Sequence, residues 1–188
     1  MNLPNKLTLL RVALIPVFMV AAANRWMLAA GIIFAIASFT DYLDGHIARS
    51  RNLVTDFGKF ADPLADKLLT TIAFLYMMVD GVCSPVVLAI ILAREFAVSG
   101  VRMIAAAAPQ GKVIAANIWG KLKTVMQMLT IVFYYFGVAI ERAVFTGGSS
   151  VFFSQILTYV LCWAVAAVTL VSGVQYIWNN REFINTAK

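Results

Sequence analysis

Charge is what this sequence has least of. Only 13% of its 188 residues are charged and 62% are apolar, whereas a soluble domain is about 25% charged and about 45–50% apolar. Acids are the scarcest, nine against fifteen lysines and arginines. There is one histidine, His46, and the two cysteines, Cys83 and Cys162, stand far apart. These shortages exclude several classes. A soluble fold of this length cannot hide so much apolar side chain, because a small domain keeps much of its surface in water. Disorder requires low hydrophobicity and fails for the same reason. A disulfide framework or a Cys/His zinc site has too few ligands. What remains is an all-α integral membrane protein, one domain over residues 1–188. In a soluble protein the net charge of +6 would suggest nucleic acid. Here the surplus reads as loop cations that orient the chain and meet anionic lipid headgroups, so membrane lipids are the expected partners and nucleic acid is not.

A membrane-spanning helix needs about 20 mostly apolar residues. Six stretches qualify or nearly do: Leu7–Ala23, Trp26–Ala48, Phe60–Val79, Pro85–Ala107, Ile118–Ile140 and Val151–Trp178. The first ends in Ala21-Ala22-Ala23, like a signal-peptide cleavage site, but polar residues recur in register inside it, so an uncleaved span is expected. The connections are short, and no alternating strand pattern supports a β-barrel. Six spans put both termini on one side. Lys6, Arg11, Arg49, Arg51, Lys59, Lys67, Lys112, Lys121, Lys123, Arg181 and Lys188 gather there, and the opposite loops hold Arg25 and Arg142. The asymmetry predicts cytoplasmic termini.

The few acids are not scattered. Asp41 and Asp44 stand three apart near the cytoplasmic end of the second segment, and Asp62 and Asp66 stand four apart at the start of the third. Each pair lies on one face of its helix. Antiparallel neighbours can bring the pairs together, and four converging carboxylates would repel one another without a cation. Hard oxygen ligands favour Mg²⁺, Mn²⁺ or Ca²⁺, and a pair of ions suits phosphoryl transfer. Gly45 and Gly58 leave room for a close approach. The blander reading is salt bridging to Arg49, Lys59 and Lys67. It suits one acid better than four, because ionisable groups in a membrane are functional by default.

The string Asp41-x2-Asp44-Gly45-x2-Ala48-Arg49-x8-Gly58-x3-Asp62-x3-Asp66 resembles the signature of the CDP-alcohol phosphatidyltransferases at every fixed position. The resemblance implies a six-helix membrane bundle, usually dimeric, with two divalent ions, Mg²⁺ or Mn²⁺, at the cytoplasmic interface. It implies attack of an alcohol on a CDP-linked phosphate with CMP leaving. By position, Asp41, Asp44, Asp62 and Asp66 correspond to the metal carboxylates and Asp66 to the general base. Asp41, Gly45, Ala48, Arg49 and Gly58 correspond to the part that holds the CDP moiety. His46 falls in a variable slot and reads as a bystander.

Three further polar sets bear on the alcohol. Asn5, Thr8 and Arg11 recur every three residues and can share a broad helix face. Their N-x2-T-x2-R pattern is similar to the opening of bacterial phosphatidylglycerophosphate synthases, where the asparagine lies near the nucleotide. The plainer reading is capping and snorkelling. Glu95, Ser99 and Arg102 form one stripe of the fourth segment, and Arg94 lies about 100° from Glu95 around the axis. Arg94 is too deep to snorkel and should face protein, an acid or a wet cavity. An internal ion pair competes here with an anion pocket for a phosphate-bearing alcohol. In Gly120-Lys121-Leu122-Lys123-Thr124, Lys121 and Thr124 share a face and leave room for a phosphate contact. The last two sets also resemble those synthases, which implies CDP-diacylglycerol and sn-glycerol 3-phosphate as substrates, with Lys67, Arg94, Glu95, Arg102, Lys121, Lys123 and Thr124 around the latter. It implies a bacterial inner-membrane enzyme with a cytoplasmic active site. The competing expectations are a synthase for serine or inositol phosphate, a divalent-cation transporter and a non-catalytic scaffold. The last two leave the glycines, Ala48 and Arg49 unexplained. The sixth segment carries no motif, and Tyr159, Trp163 and Tyr176 read as packing and interfacial anchors.

Overall fold

A computed structural model of the chain describes residues 3–50, 56–107, 118–144 and 152–182. Side-chain surroundings are described for residues 7–40, 64–65, 67–105, 118–144 and 152–182. The described residues form six helices and no strand: α1 Leu3–Ala23, α2 Met27–Ser50, α3 Asp56–Val79, α4 Pro85–Ala107, α5 Ile118–Val144 and α6 Phe152–Asn179. Each apolar segment becomes one helix. Where the bounds differ, the helix runs on into polar sequence, because backbone hydrogen bonding continues past the point where apolarity ends. Thus α3 begins at Asp56 and α5 runs through Glu141 and Arg142.

The ends of the helices have identifiable causes. At α4, Pro85 takes the first helical position and the Ser84 hydroxyl accepts the Val86 amide at 3.3 Å, the usual device for an orphan helix donor. At α1, the Trp26 amide reaches back to the Ala21 carbonyl at 2.9 Å and Arg25 adopts a φ of 57°. That left-handed position ordinarily suits glycine. Arg25 is held there from both sides: its guanidinium meets Asp80 at 3.3 Å and its carbonyl accepts from Arg142 at 3.2 Å.

α1 packs on α2 and α3, α2 on α5, α5 on α6, and α4 on α3 and α6. The centre is aromatic. Phe18 meets the Tyr135 ring edge-on at 5.5 Å and Phe34 at 6.1 Å, and all three are buried. Large apolar side chains also point outward, among them Val79, Phe96, Met103, Ile118 and Trp178, as lipid-facing surfaces require. Among the described residues α5 and α6 are long and apolar enough to cross a membrane. The apolar parts of α1, α2 and α3 are shorter, Leu7–Ala23, Met27–Thr40 and Lys67–Val79. In α2 and α3 the remainder is the charged motif, which therefore sits at one boundary of the apolar layer. The fold is that of an all-helical membrane protein.

At the other end of the bundle, Tyr134 of α5 donates to Asp80 Oδ2 at 2.6 Å, and the Asp80 Oδ1 faces Arg25. Tyr134 is buried, so Asp80→Ala strands its hydroxyl. The expected loss is about 1–3 kcal/mol, read as a lower unfolding temperature in detergent. Tyr134→Phe in the same chain should recover part of it, because the stranded donor is then gone.

Candidate active site

The signature residues lie on neighbouring helices. Asp41, Asp44, Gly45, Ala48 and Arg49 are on the last turns of α2, and Gly58, Asp62 and Asp66 are on the first turns of α3. Their side chains fall outside the described residues, as does that of Asn5. On α1, Thr8 and Arg11 are buried together, so the face expected from their spacing points into the bundle. A fully buried guanidinium in a membrane helix faces protein rather than lipid.

Beside these helix ends is a cavity of about 430 Å³. Its polar wall comes from Lys67 of α3, Arg94, Glu95 and Arg102 of α4, and Lys123, Thr124 and Gln127 of α5. Leu64, Leu68, Ile91, Leu92 and Phe96 form its apolar wall. Residues from three helices meet on a single carboxylate. Glu95 Oε1 accepts from the Lys123 ammonium and, at 3.2 Å, from Arg94, and Oε2 lies 3.8 Å from Lys67 Nζ. Lys67 also donates to Ser99, the middle member of the stripe on α4. Lys123 is 4% exposed, and a lysine is so deeply buried only when paired. Three cations thus meet on one acid and Arg102 adds a fourth to the cavity wall, which leaves surplus positive charge in a partly enclosed space of low dielectric. Such a space attracts an anion, and phosphate matches the planar fork of arginine.

On α5 the face turned to the cavity is Gly120, Lys123, Thr124 and Gln127, the i, i+3, i+4, i+7 stripe of a helix. Lys121 is exposed and does not line the cavity. Thr124 lines it while its hydroxyl donates to the Gly120 carbonyl at 3.1 Å. The internal ion pair expected on α4, Arg94 with Glu95, is present, and a cation-lined cavity lies beside it.

Two residues without a sequence motif complete the site from α6. Ser172 accepts from Arg94 at 2.9 Å, and the Tyr176 hydroxyl accepts from Arg102 Nε at 3.2 Å. The Arg102 guanidinium also lies 5.7 Å from the centre of the Tyr176 ring, within cation–π range. Tyr176 is therefore part of the site rather than an interfacial anchor. A signal was available: Ser154, Thr158, Cys162, Thr169, Ser172 and Tyr176 are all buried on α6, and they recur at helical spacing in a segment that is otherwise mainly apolar.

Comparison with known proteins shows the family. The family model described as CDP-alcohol phosphatidyltransferase matches residues 1–174. A Bacillus subtilis protein named CDP-diacylglycerol–glycerol-3-phosphate 3-phosphatidyltransferase is 39% identical, over 99% of this chain and 98% of its own. Proteins of the same name from Rickettsia bellii and Pseudomonas fluorescens are 35% and 33% identical, over 93% and 94% of this chain and 93% and 89% of theirs. The match spans the signature on α2 and α3, the cavity on α4 and α5, and most of α6; the chain belongs to the CDP-alcohol phosphatidyltransferase family.

Proposed function

We propose that the chain transfers the phosphatidyl group of CDP-diacylglycerol to sn-glycerol 3-phosphate, giving phosphatidylglycerophosphate and CMP. The observation that carries this reading is the cation-rich cavity beside the signature-bearing helix ends. An alcohol that brings its own phosphate is the substrate such a cavity fits. Serine offers no phosphate to it. The names of the similar proteins point the same way.

In this reading the phosphate of the alcohol rests among Arg94, Arg102, Lys67 and Lys123, with Thr124 nearby and Glu95 holding the cations in place, and Lys121 takes no part. Asp66 takes the proton of the primary hydroxyl. The hydroxyl oxygen then bonds to the phosphorus bearing the lipid, and the bond from that phosphorus to CMP breaks. Asn5, Thr8, Asp41, Gly45, Ala48, Arg49 and Gly58 hold the CDP moiety, and the acyl chains stay in the bilayer. The donor set fits hard divalent ions: two carboxylates at i, i+3 on α2 and two at i, i+4 on α3, all oxygen ligands. Asp41, Asp44, Asp62 and Asp66 would hold two Mg²⁺ or Mn²⁺ ions, which when bound supply charge stabilisation for the pyrophosphate. The cation asymmetry supports a multi-pass protein of a bacterial inner membrane, with both termini and the site facing the cytoplasm. A homodimer is the expected assembly.

The test is a panel of alcohols. Purified protein with Mg²⁺ or Mn²⁺ and CDP-diacylglycerol should release CMP with glycerol 3-phosphate and much less with serine or inositol phosphate. Release with either of those and none with glycerol 3-phosphate overturns the assignment.

A further inference from the structure

We propose that α6 is the positioning helix for the acceptor pocket: Ser172, Gly173 and Tyr176 fix the two α4 arginines in the conformations that receive phosphate. The proposal rests on the reading of the cavity as a phosphate site. It adds a role for three residues of a helix whose sequence carries no charge between Phe152 and Asn179.

The argument starts from Arg94. It lies in the middle of an apolar helix with its side chain 11% exposed. An arginine stem is long and flexible, and binding must offset the entropy lost when it is fixed. Here the stem is confined before any ligand arrives. A Cβ placed on Gly173 would lie 3.0 Å from Arg94 Cγ, and one on Gly120 would lie 3.3 Å from its terminal nitrogen Nη2. The side chain therefore runs through a slot between α5 and α6 that exists because both helices have glycine there. At the end of the slot, Ser172 and Glu95 take one guanidinium nitrogen each. Ser172 is 1% exposed, so its hydroxyl is directed at the arginine and not at water.

Four residues along α6, Tyr176 repeats the arrangement for Arg102. Its hydroxyl accepts from Nε and its ring lies beside the guanidinium. Using Nε for this contact leaves the two terminal nitrogens of Arg102, the pair that grips a phosphate bidentately. Ser172 and Tyr176 share a face because they are one turn apart. One rigid helix thus sets both arginines, and a preorganised cation pays less on binding than a mobile one.

The experiment measures kcat and both KM values for CMP release, using whichever phosphate-bearing alcohol the wild-type protein accepts. Ser172→Ala should raise KM for that alcohol about tenfold, the worth of a hydrogen bond to a charged group, with KM for CDP-diacylglycerol unchanged. Tyr176→Phe, which removes one oxygen, should do the same through Arg102. Gly173→Ala should have the larger effect, because it narrows the slot. In an Arg94→Gln background, Ser172→Ala should add nothing to the loss in kcat/KM, since the residue acts through that guanidinium. Full additivity there, or equal loss for both substrates, overturns the proposal and leaves Ser172 a packing residue. If the wild-type protein releases no CMP with glycerol 3-phosphate but does with another phosphorylated alcohol, the substrate assignment falls while the cycle still decides the role of α6. Acceptance of unphosphorylated alcohols alone overturns both.

Discussion

Asp66→Asn is expected to lower CMP release by about 10²- to 10⁴-fold, the usual contribution of a positioned general base. Asparagine keeps the size and shape of the side chain but cannot take a proton. Asp66 sits on the first turns of α3, one residue before Lys67, which lines the cation-rich cavity. The proposed base is thus placed by sequence next to the residues that would hold the alcohol. A free hydroxyl is a poor nucleophile, and loss of its proton as the bond to phosphorus forms is the step that the carboxylate would serve. The rival account is that Asp66 matters only as a metal ligand. Asp41→Asn separates the two. A variant weakened in metal affinity should regain turnover as Mg²⁺ or Mn²⁺ is raised, and one lacking the base should not. Turnover of Asp66→Asn near the wild-type level, in protein that unfolds at the wild-type temperature, removes the residue from the base role.

The reach of the sequence follows from the price of charge in a membrane. An acid or arginine inside an apolar run is conspicuous because it is costly there. Arg94, Glu95 and Arg102, which the fold gathers at one cavity, were legible on that ground, and Asp41, Asp44, Asp62 and Asp66 stand out as candidates for the same reason. The six helices were legible from apolar length, and only their polar ends were cut short. Lys121 and Lys123 mark the limit. Two positions on a helix are about 200° apart, so one at most faces the cavity, and the choice depends on where α5 packs against α4 and α6. The structure turns Lys123 inward with Gly120 and Gln127. Ser172 was harder to read, because a hydroxyl in an apolar helix commonly bonds its own backbone, and its partner lies 78 residues away. Asp80 belongs to no motif, and its partner Tyr134 lies 54 residues away.

Glu95→Gln should be the most damaging single change in the cation-rich cavity. Glu95 is the common partner of Arg94, Lys123 and Lys67. Removing its charge leaves three cations facing one another where water is sparse. Breaking a buried pair by deleting one partner costs about 3–5 kcal/mol; with the Glu95 side chain 17% exposed, the lower end of that range applies. The variant should therefore unfold at a lower temperature in detergent and bind glycerol 3-phosphate with a raised KM, because the cations it aligned spread apart. A second change separates these effects. Lys123→Met in the Glu95→Gln chain removes the most deeply buried of the three cations and fills the space with an apolar side chain. It should return part of the lost stability, since replacing both members of a buried pair is far cheaper than orphaning one. Use of glycerol 3-phosphate should stay impaired, because the cavity has then lost one of its four cations. If stability and KM recover together, Glu95 and Lys123 serve the fold alone. If stability recovers while KM stays high, the carboxylate and the lysine belong to the acceptor site.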